Sequence, residues 1–324
     1  MILVMGVTGV GKSFFINKLA EGTVLEGSGL RAKTQRPQIV TAILGDDSGF
    51  DTEVAIVDTP GFDDTIRSDE DILAELSEFL SAQYVWGEFD LKGIIYLHRI
   101  TDTRMTGSAC RYFQMFQRLC GEHTFKNIVL VTTMWDHLKD EMVGFERDQE
   151  LRNDFWSVME EKGSQITTFD GSRDQAESIV LRLLGKPPIT LQLQYELVDR
   201  GLPLDRTSAG RPLAANLEAR IQEATINTER LNYQLNRPIV SRRESEEVWL
   251  RQQCDKAEAE VHEQKEKRCK LASRVGMETK RKAETRDKEP RKRFNGRETI
   301  AMFASFLGLT VNLVFTILPL VGVM

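Results

Sequence analysis

The sequence predicts an α/β fold of the P-loop nucleotide-binding type. A mostly parallel sheet is covered by helices on both faces, and a charged helical segment and an apolar tail follow. Three observations predict it. Apolar runs of strand length recur (Ile2 to Met5, Ile39 to Leu44, Val54 to Val57, Leu91 to Leu97, Asn127 to Thr132), and helical spacings separate most of them. Directly after the first run, Gly6-Val7-Thr8-Gly9-Val10-Gly11-Lys12-Ser13 fits G-x-x-x-x-G-K-[ST] and opens into a helix. Finally, charged residues dominate from Leu213 to Arg297, whereas Thr299 to Met324 carries none.

The first loop carries the clearest chemistry. Its glycines let the backbone curl so that N–H groups point inward, and the following helix adds favourable potential for an anion. Gly6, Thr8, Gly9, Val10, Gly11, Lys12, Ser13 and Phe14 are therefore the expected nucleotide-binding segment. Lys12 reaches the outer phosphates, and the Ser13 hydroxyl sits on Mg²⁺.

Val54-Ala55-Ile56-Val57-Asp58-Thr59-Pro60-Gly61 is an apolar strand ending in D-x-x-G. The aspartate can hold Mg²⁺, and the Gly61 N–H can meet a γ-phosphate. A phosphate loop after the first strand with D-x-x-G after the third is the GTPase arrangement. Between them, the run from Glu21 to Gln35 holds the place of a first switch loop, with Thr34 as the threonine for Mg²⁺ and γ-phosphate. Thr41 is the second choice, and its apolar neighbours make it a strand residue. Phe62-Asp63-Asp64-Thr65 stands where many GTPases keep a water-orienting glutamine, so slow hydrolysis is expected. Ser68-Asp69-Glu70-Asp71 has the capping pattern S-x-x-D and starts a helix. Cys110, Phe113, Met115, Phe116 and Leu119 form a helical stripe read as core. Ser164 to Phe169 makes a last strand, and Gln175 to Leu184 a last helix of this region.

The segments GVTGVGKSFFIN, VDTPGFDDTIRSDEDIL, GIIYLHRITDTRMTG and VLVTTMWD resemble the fungal branch of the septin-like GTPases, relatives of the immunity-associated and chloroplast import-receptor GTPases. The resemblance covers residues 1–186. It implies a Ras-like G domain, GTP and GDP with Mg²⁺, and a homodimer formed across the nucleotide face. Carried onto this sequence, Lys12, Thr34 and Gly61 serve catalysis and Ser13, Thr34 and Asp58 the metal. Thr133-Met134-Trp135-Asp136 stands in place of the guanine-reading N-K-x-D. Asp136 keeps the bidentate contact to guanine, Trp135 or Met134 packs on the base in place of the basic stem, and the competing role for Asp136 is an N-cap. Arg99 and Arg104 are candidates for an arginine finger supplied to a second copy, with surface ion pairs as the plain alternative.

Gly185-Lys186-Pro187-Pro188 closes the G domain. Residues 187–297 are expected to be a charged helical segment, either a coiled-coil or hairpin stalk or a solvated helix lying on the G domain. Ile189 to Val198 reads as one helix, Leu213 to Leu235 as a second that Pro238 interrupts, and Glu244 to Met277 as a third. Leu250, Ala257, Val261 and Leu271 are its seam. A basic stretch from Arg274 to Arg297 precedes the uncharged run, and residues 299–324 are long enough to cross a bilayer core of about 30 Å. The expectation is a tail-anchored protein with its G domain in the cytosol. A net charge of -6 gives no reason to expect nucleic acid, and the four cysteines lack metal or redox spacing. No N-terminal signal peptide is expected. A non-catalytic GTP-binding scaffold or filament-forming protein is the alternative to a switch. An ATP-using kinase is disfavoured, since Asp-Thr-Pro-Gly has no role in it.

Overall fold

The computed structural model describes residues 1–20, 37–45, 51–62, 67–86, 89–237 and 244–286. Thr34 and the expected span 299–324 lie outside them. Among the described residues no helix is long and apolar enough to cross a membrane.

Strand β1 (Ile2–Met5) is buried along its whole length and pairs in parallel with β3 (Asp51–Asp58) on one side and β4 (Gly93–Arg99) on the other. Strand β2 (Gln38–Gly45) lies antiparallel outside β3, while β5 (Ile128–Thr133) and β6 (Gln165–Thr168) extend the other side in parallel. The order is β2-β3-β1-β4-β5-β6. Continuous apolar runs suit strands covered on both faces, and the one antiparallel pair sits at an edge. Thr41 is a strand residue of β2, opposite Ala55.

Helix α1 (Lys12–Leu19) leaves the phosphate loop and buries Phe15, Ile16 and Leu19. Helix α2 (Asp69–Trp86) starts where expected: Ser68 Oγ accepts from the Asp71 N–H at 3.3 Å and donates to the Asp71 carboxylate at 2.8 Å. Helix α3 (Gly107–Cys120) turns Phe113, Met115, Phe116 and Leu119 into the core, so the stripe is packing. Helices α4 (Glu141–Glu150), α5 (Ser157–Glu161) and α6 (Arg173–Leu184) complete the two layers, and Trp156 is fully buried against Phe113.

The chain after Leu184 is built onto this body. The Asn127 amide donates to the carbonyls of Lys92 and Pro187 at 2.7 and 2.9 Å. The helix expected over Ile189 to Val198 is instead a single turn, α7 (Gln192–Gln194), widening into a π turn at Tyr195–Asp199. Gln194 is buried and donates to the Leu80 carbonyl at 3.0 Å, and Glu196 accepts from the backbone and hydroxyl of Ser208. These tertiary bonds, together with the burial of Leu193 and Leu197, override regular helix.

Helices α8 (Gly210–Asn236) and α9 (Glu244–Leu271) form a hairpin, followed by α10 (Val275–Arg286). Leu250, Cys254, Ala257 and Gln264 are buried on α9 at spacings of four, three and seven, a heptad seam facing α8. The single helix expected from Glu244 to Met277 breaks after Leu271, where the Ser273 carbonyl turns to accept from the Leu204 N–H at 3.1 Å. The base of the hairpin rests on α2, and Leu217 and Leu271 belong to one core with the sheet. Arg220 of α8 pairs with Glu70, and Lys270 of α9 with Asp71 at 2.7 Å. The extension is therefore a hairpin seated on the sheet body at its base.

The two ion pairs differ in worth. Glu70 is 3% exposed, so losing its partner strands a buried charge, whereas Lys270 is largely in water. Arg220→Ala is expected to cost about 3 kcal/mol and Lys270→Ala under about 1 kcal/mol. Urea unfolding of both variants checks the contrast, and equal losses would contradict it.

Candidate functional site

The carboxyl ends of β1, β3, β4, β5 and β6 meet at one edge of the sheet, the place where folds of this kind bind ligands. The loop Gly6 to Gly11 turns through positive φ at Gly6, Gly9 and Gly11. Within it Lys12 is 7% exposed, and its ammonium donates to the carbonyls of Gly6 and Val7 at 3.1 and 3.0 Å. Such a charge is costly to bury unless strong acceptors face it, and the loop is shaped to supply them.

Ser13 Oγ donates to Asp58 Oδ2 at 3.0 Å, and Asp58 is fully buried. A hydroxyl and a carboxylate side by side at the mouth of the loop are the hard oxygen donors that Mg²⁺ takes. Gly61 closes the other side. A Cβ there would stand 2.6 Å from Thr8 Oγ1 and 2.8 Å from Lys12 Nζ, so only glycine lets the Asp58–Gly61 turn come this close to the lysine. These residues fit a phosphate chain with its cation.

Two threonines brace this edge. Thr59 Oγ1 donates to the Val4 carbonyl at 2.8 Å, tying the D-x-x-G turn to β1. Thr133, expected to bind the nucleotide, donates its hydroxyl to the Val10 carbonyl at 2.9 Å and so holds the phosphate loop against β5. It lines the pocket, but its hydroxyl is committed.

Phe62, in the position of the absent glutamine, is 2% exposed and stacks on Tyr112 with centroids 5.9 Å apart. Its carbonyl accepts from the Thr8 N–H at 2.8 Å. It is a core residue that pins the turn to the phosphate loop.

Beside the loop lies a pocket of about 390 Å³ lined by Val10, Gly11, Phe14, Thr133, Met134 and Asp136, together with His137 and Phe169 to Gly171. Asp136 stands in a 3₁₀ turn (Trp135–His137) with its carboxylate exposed and 3.8 Å from His137 Nε2. It caps no helix. Asp140 caps α4 instead, accepting from the Met142 N–H at 2.9 Å.

Of the two residues offered for the base, Met134 lines this pocket and Trp135 does not. The Trp135 indole turns away, donating to Thr132 Oγ1 at 3.1 Å and packing on Phe145. Met134 has φ 62°, the only positive φ outside glycine among the described residues, and its methyl lies 4.0 Å from the Cβ position of Gly11. That left-handed conformation costs about 1–2 kcal/mol. It lets the chain leave β5 and enter the 3₁₀ turn at once.

Phe169, Asp170 and Gly171 escaped the sequence reading. The signal for them is their place just after the last strand, on the same edge as Gly6 and Asp58. Hydrogen bonds from Ser172 hold the Asp170 carboxyl below the usual range, so it stays an anion at the pocket rim.

Arg99 ends β4. Its Nε donates to Asp102 at 2.5 Å, and Nη1 stands 3.4 Å from where a Gly9 Cβ would sit. The neighbouring His98 is 5% exposed, and burial pushes its pKa down, so the cation at this strand end is Arg99. Arg104 is exposed.

Residues 1–104 match the family model described as 50S ribosome-binding GTPase. No curated protein matches the chain. Among solved structures, Toc33 from Arabidopsis thaliana in complex with Mg²⁺ and GMPPNP is 19% identical, with 58% of this chain and 85% of that one covered at a TM-score of 0.45. Its complex with GDP and Mg²⁺ gives 19% identity, 59% and 86% coverage and 0.45. A structure of the chloroplast translocon components atToc33 and psToc159, for whose GTPase activity dimerisation is important, gives 19%, 56% and 80% coverage and 0.44. The matched segment contains the phosphate loop, Asp58 to Gly61 and Arg99. Over residues 1–104 the chain is thus similar to P-loop GTPases.

Because Phe62 is buried, restoring a glutamine there does not restore a water-orienting group. Phe62→Gln is expected to cost about 3 kcal/mol of stability and to leave GTP hydrolysis no faster. Urea unfolding and a single-turnover assay read the two effects, and a stable variant with faster turnover would contradict this account.

Proposed function

We propose that this chain is a slow GTPase that works as a membrane-anchored switch and dimerises across its nucleotide face. The observation that carries the reading is the convergence of Lys12, the Ser13–Asp58 pair and Gly61 at one strand edge, with Asp136 in the adjoining pocket. Lys12 neutralises the outer phosphates. Ser13 and Asp58 would hold Mg²⁺, which would supply further neutralisation of the phosphate oxygens. The Gly61 N–H would meet the γ-phosphate, Thr34, outside the described residues, would serve as the switch threonine, and Asp136 would accept from the N1 and 2-amino groups of guanine. Water attacks the γ-phosphorus in line with the leaving oxygen. With an apolar Phe62 in the glutamine position, that attack lacks a positioned water and is slow.

The sequence resemblance to septin-like GTPases and their dimerising relatives supports a second copy docking on this face. Arg104, exposed near the same edge, is the arm available to it. The basic stretch and the uncharged residues 299–324 support a tail anchor with the G domain in the cytosol. The buried Phe62 also favours a second reading, a GTP-binding scaffold or filament-forming protein that does not turn over.

Single-turnover GTP hydrolysis across protein concentration separates the two. A rate rising steeply with concentration supports the dimerising GTPase, and no turnover at any concentration supports the scaffold. Asp136→Asn is expected to lower GTP affinity about 10- to 100-fold, since a hydrogen bond to a charged acceptor contributes about 1.5–3 kcal/mol, while ATP affinity stays put. Competition binding measures this, and unchanged selectivity would remove Asp136 from the base site. Deleting residues 299–324 is expected to move the protein from the membrane fraction to the soluble one; retention on membranes would end the anchor reading.

A further inference from the structure

We infer that Arg99 binds the phosphates of the nucleotide held in its own chain, adding from β4 a second cation to Lys12. The inference rests on the GTP reading and adds to it a residue and a direction of action.

The register of the sheet puts Arg99 there. Strand β1 ends at Met5, opposite Tyr96 of β4, and β4 runs on for three more residues, so Leu97 to Arg99 lies alongside the phosphate loop. The contact is close at both ends. The Leu97 carbonyl stands 2.4 Å from the Cβ position of Gly6, and Arg99 Nη1 stands 3.4 Å from that of Gly9. A side chain at residue 9 would meet this guanidinium, so the glycine leaves the approach open.

The guanidinium is oriented and accessible. Asp102, three residues on, takes Nε, and Nη1 remains on the loop side. The Arg99 side chain is 40% exposed, so a phosphate entering beside Gly9 reaches it without displacing the core. A half-exposed ion pair with Asp102 is a weak competitor, and a phosphate offers the planar fork two oxygens at once.

Other cations nearby are committed or stand elsewhere. Lys12 serves the outer phosphates from inside the loop, Arg147 donates Nη1 to the Ile100 carbonyl at 3.0 Å, and Lys18 lies over the Phe14 ring at 4.7 Å. His98 is kept neutral by burial. The apolar Met134 lies over Gly11, where a basic stem is missing, and Arg99 comes to the next glycine of the loop from the neighbouring strand. A finger reaching into a second copy must point away from its own loop; Arg99 is folded against it.

The test is equilibrium binding of fluorescent GDP to dilute full-length protein, far below concentrations at which hydrolysis depends on protein concentration. Arg99→Ala is expected to weaken GDP binding about tenfold or more, Arg99→Lys to recover part of the loss, and guanosine without phosphates to bind both forms equally. Matching circular dichroism and thermal unfolding for wild type and variants ties the loss to the site rather than the fold. GDP binding by Arg99→Ala equal to wild type, with only the concentration-dependent part of hydrolysis lost, would make Arg99 a finger for the partner and overturn the inference. Equal weakening of guanosine would also overturn it. A wild-type protein that binds no GDP sinks the GTP reading itself, and this inference falls with it.

Discussion

Everything at the site depends on the parallel pairing of β1 with both of its neighbours. Ile2 to Val4 lies in register with Ile56 to Asp58, and Ile2 to Met5 with Gly93 to Tyr96. Parallel strands deliver their carboxyl ends to one side, so the phosphate loop, the Asp58 carboxylate and the Arg99 guanidinium come from distant stretches to one place. The apolar runs that drive this pairing carry no chemistry. Their burial holds the chemical residues at strand ends, where backbone groups are released from the sheet and free for a ligand. Thr59 and Thr133 lock the edge from either flank with hydroxyl bonds to Val4 and Val10.

The same edge leads outward to the hairpin. The strand that ends in Asp58 is followed by α2, and the first turn of α2 carries Glu70 and Asp71, the carboxylates that meet Arg220 and Lys270. Ser68 caps that turn, and its hydroxyl donates to Asp71. One short helix start thus serves three masters: it satisfies its own backbone, it anchors α8, and it anchors α9. A charged seam at the base and an apolar heptad seam between the helices explain why a segment so rich in charge is ordered at all. Apolar burial at Leu217 and Leu271 joins it to the sheet core, and the buried Glu70 fixes where it lands.

Much of this was legible in the sequence because motif and strand coincide. Gly6 to Ser13, Asp58 to Gly61, the S-x-x-D cap and the core stripe on α3 are local patterns, and local patterns survive folding. What was illegible is tertiary. Whether Met134 or Trp135 faces the pocket is decided by Thr132 and Phe145, which no spacing rule connects to Trp135. Asp136 as a cap loses to Asp140 because a 3₁₀ turn intervenes before α4. Cys254 and Gln264 belong to the α9 seam although neither looks apolar enough to be counted. Ile189 to Val198 fails as a helix because Gln194 and Glu196 are claimed by Gln83, Leu80 and Ser208. Phe169 to Gly171 carry no motif and are found only by where β6 ends.

The two ends of the site are unequally built, and the inequality bears on what it does. At the phosphate end a buried ammonium, a hydroxyl–carboxylate pair, a glycine with no room for a side chain and a guanidinium close in from three strand ends. In the adjoining open pocket a methionine and phenylalanines surround two carboxylates. Tight phosphate contacts stabilise bound substrate and product alike, and such uniform binding does not by itself speed chemistry. Acceleration needs a group that acts on the attacking water, and the position where one is expected holds a phenylalanine stacked into the core. On the proposed reading, a site with these phosphate contacts and a buried phenylalanine in the glutamine position favours long occupancy over turnover. Long occupancy is the property on which a nucleotide-dependent assembly depends, since the lifetime of the bound state then sets the lifetime of whatever surface that state presents.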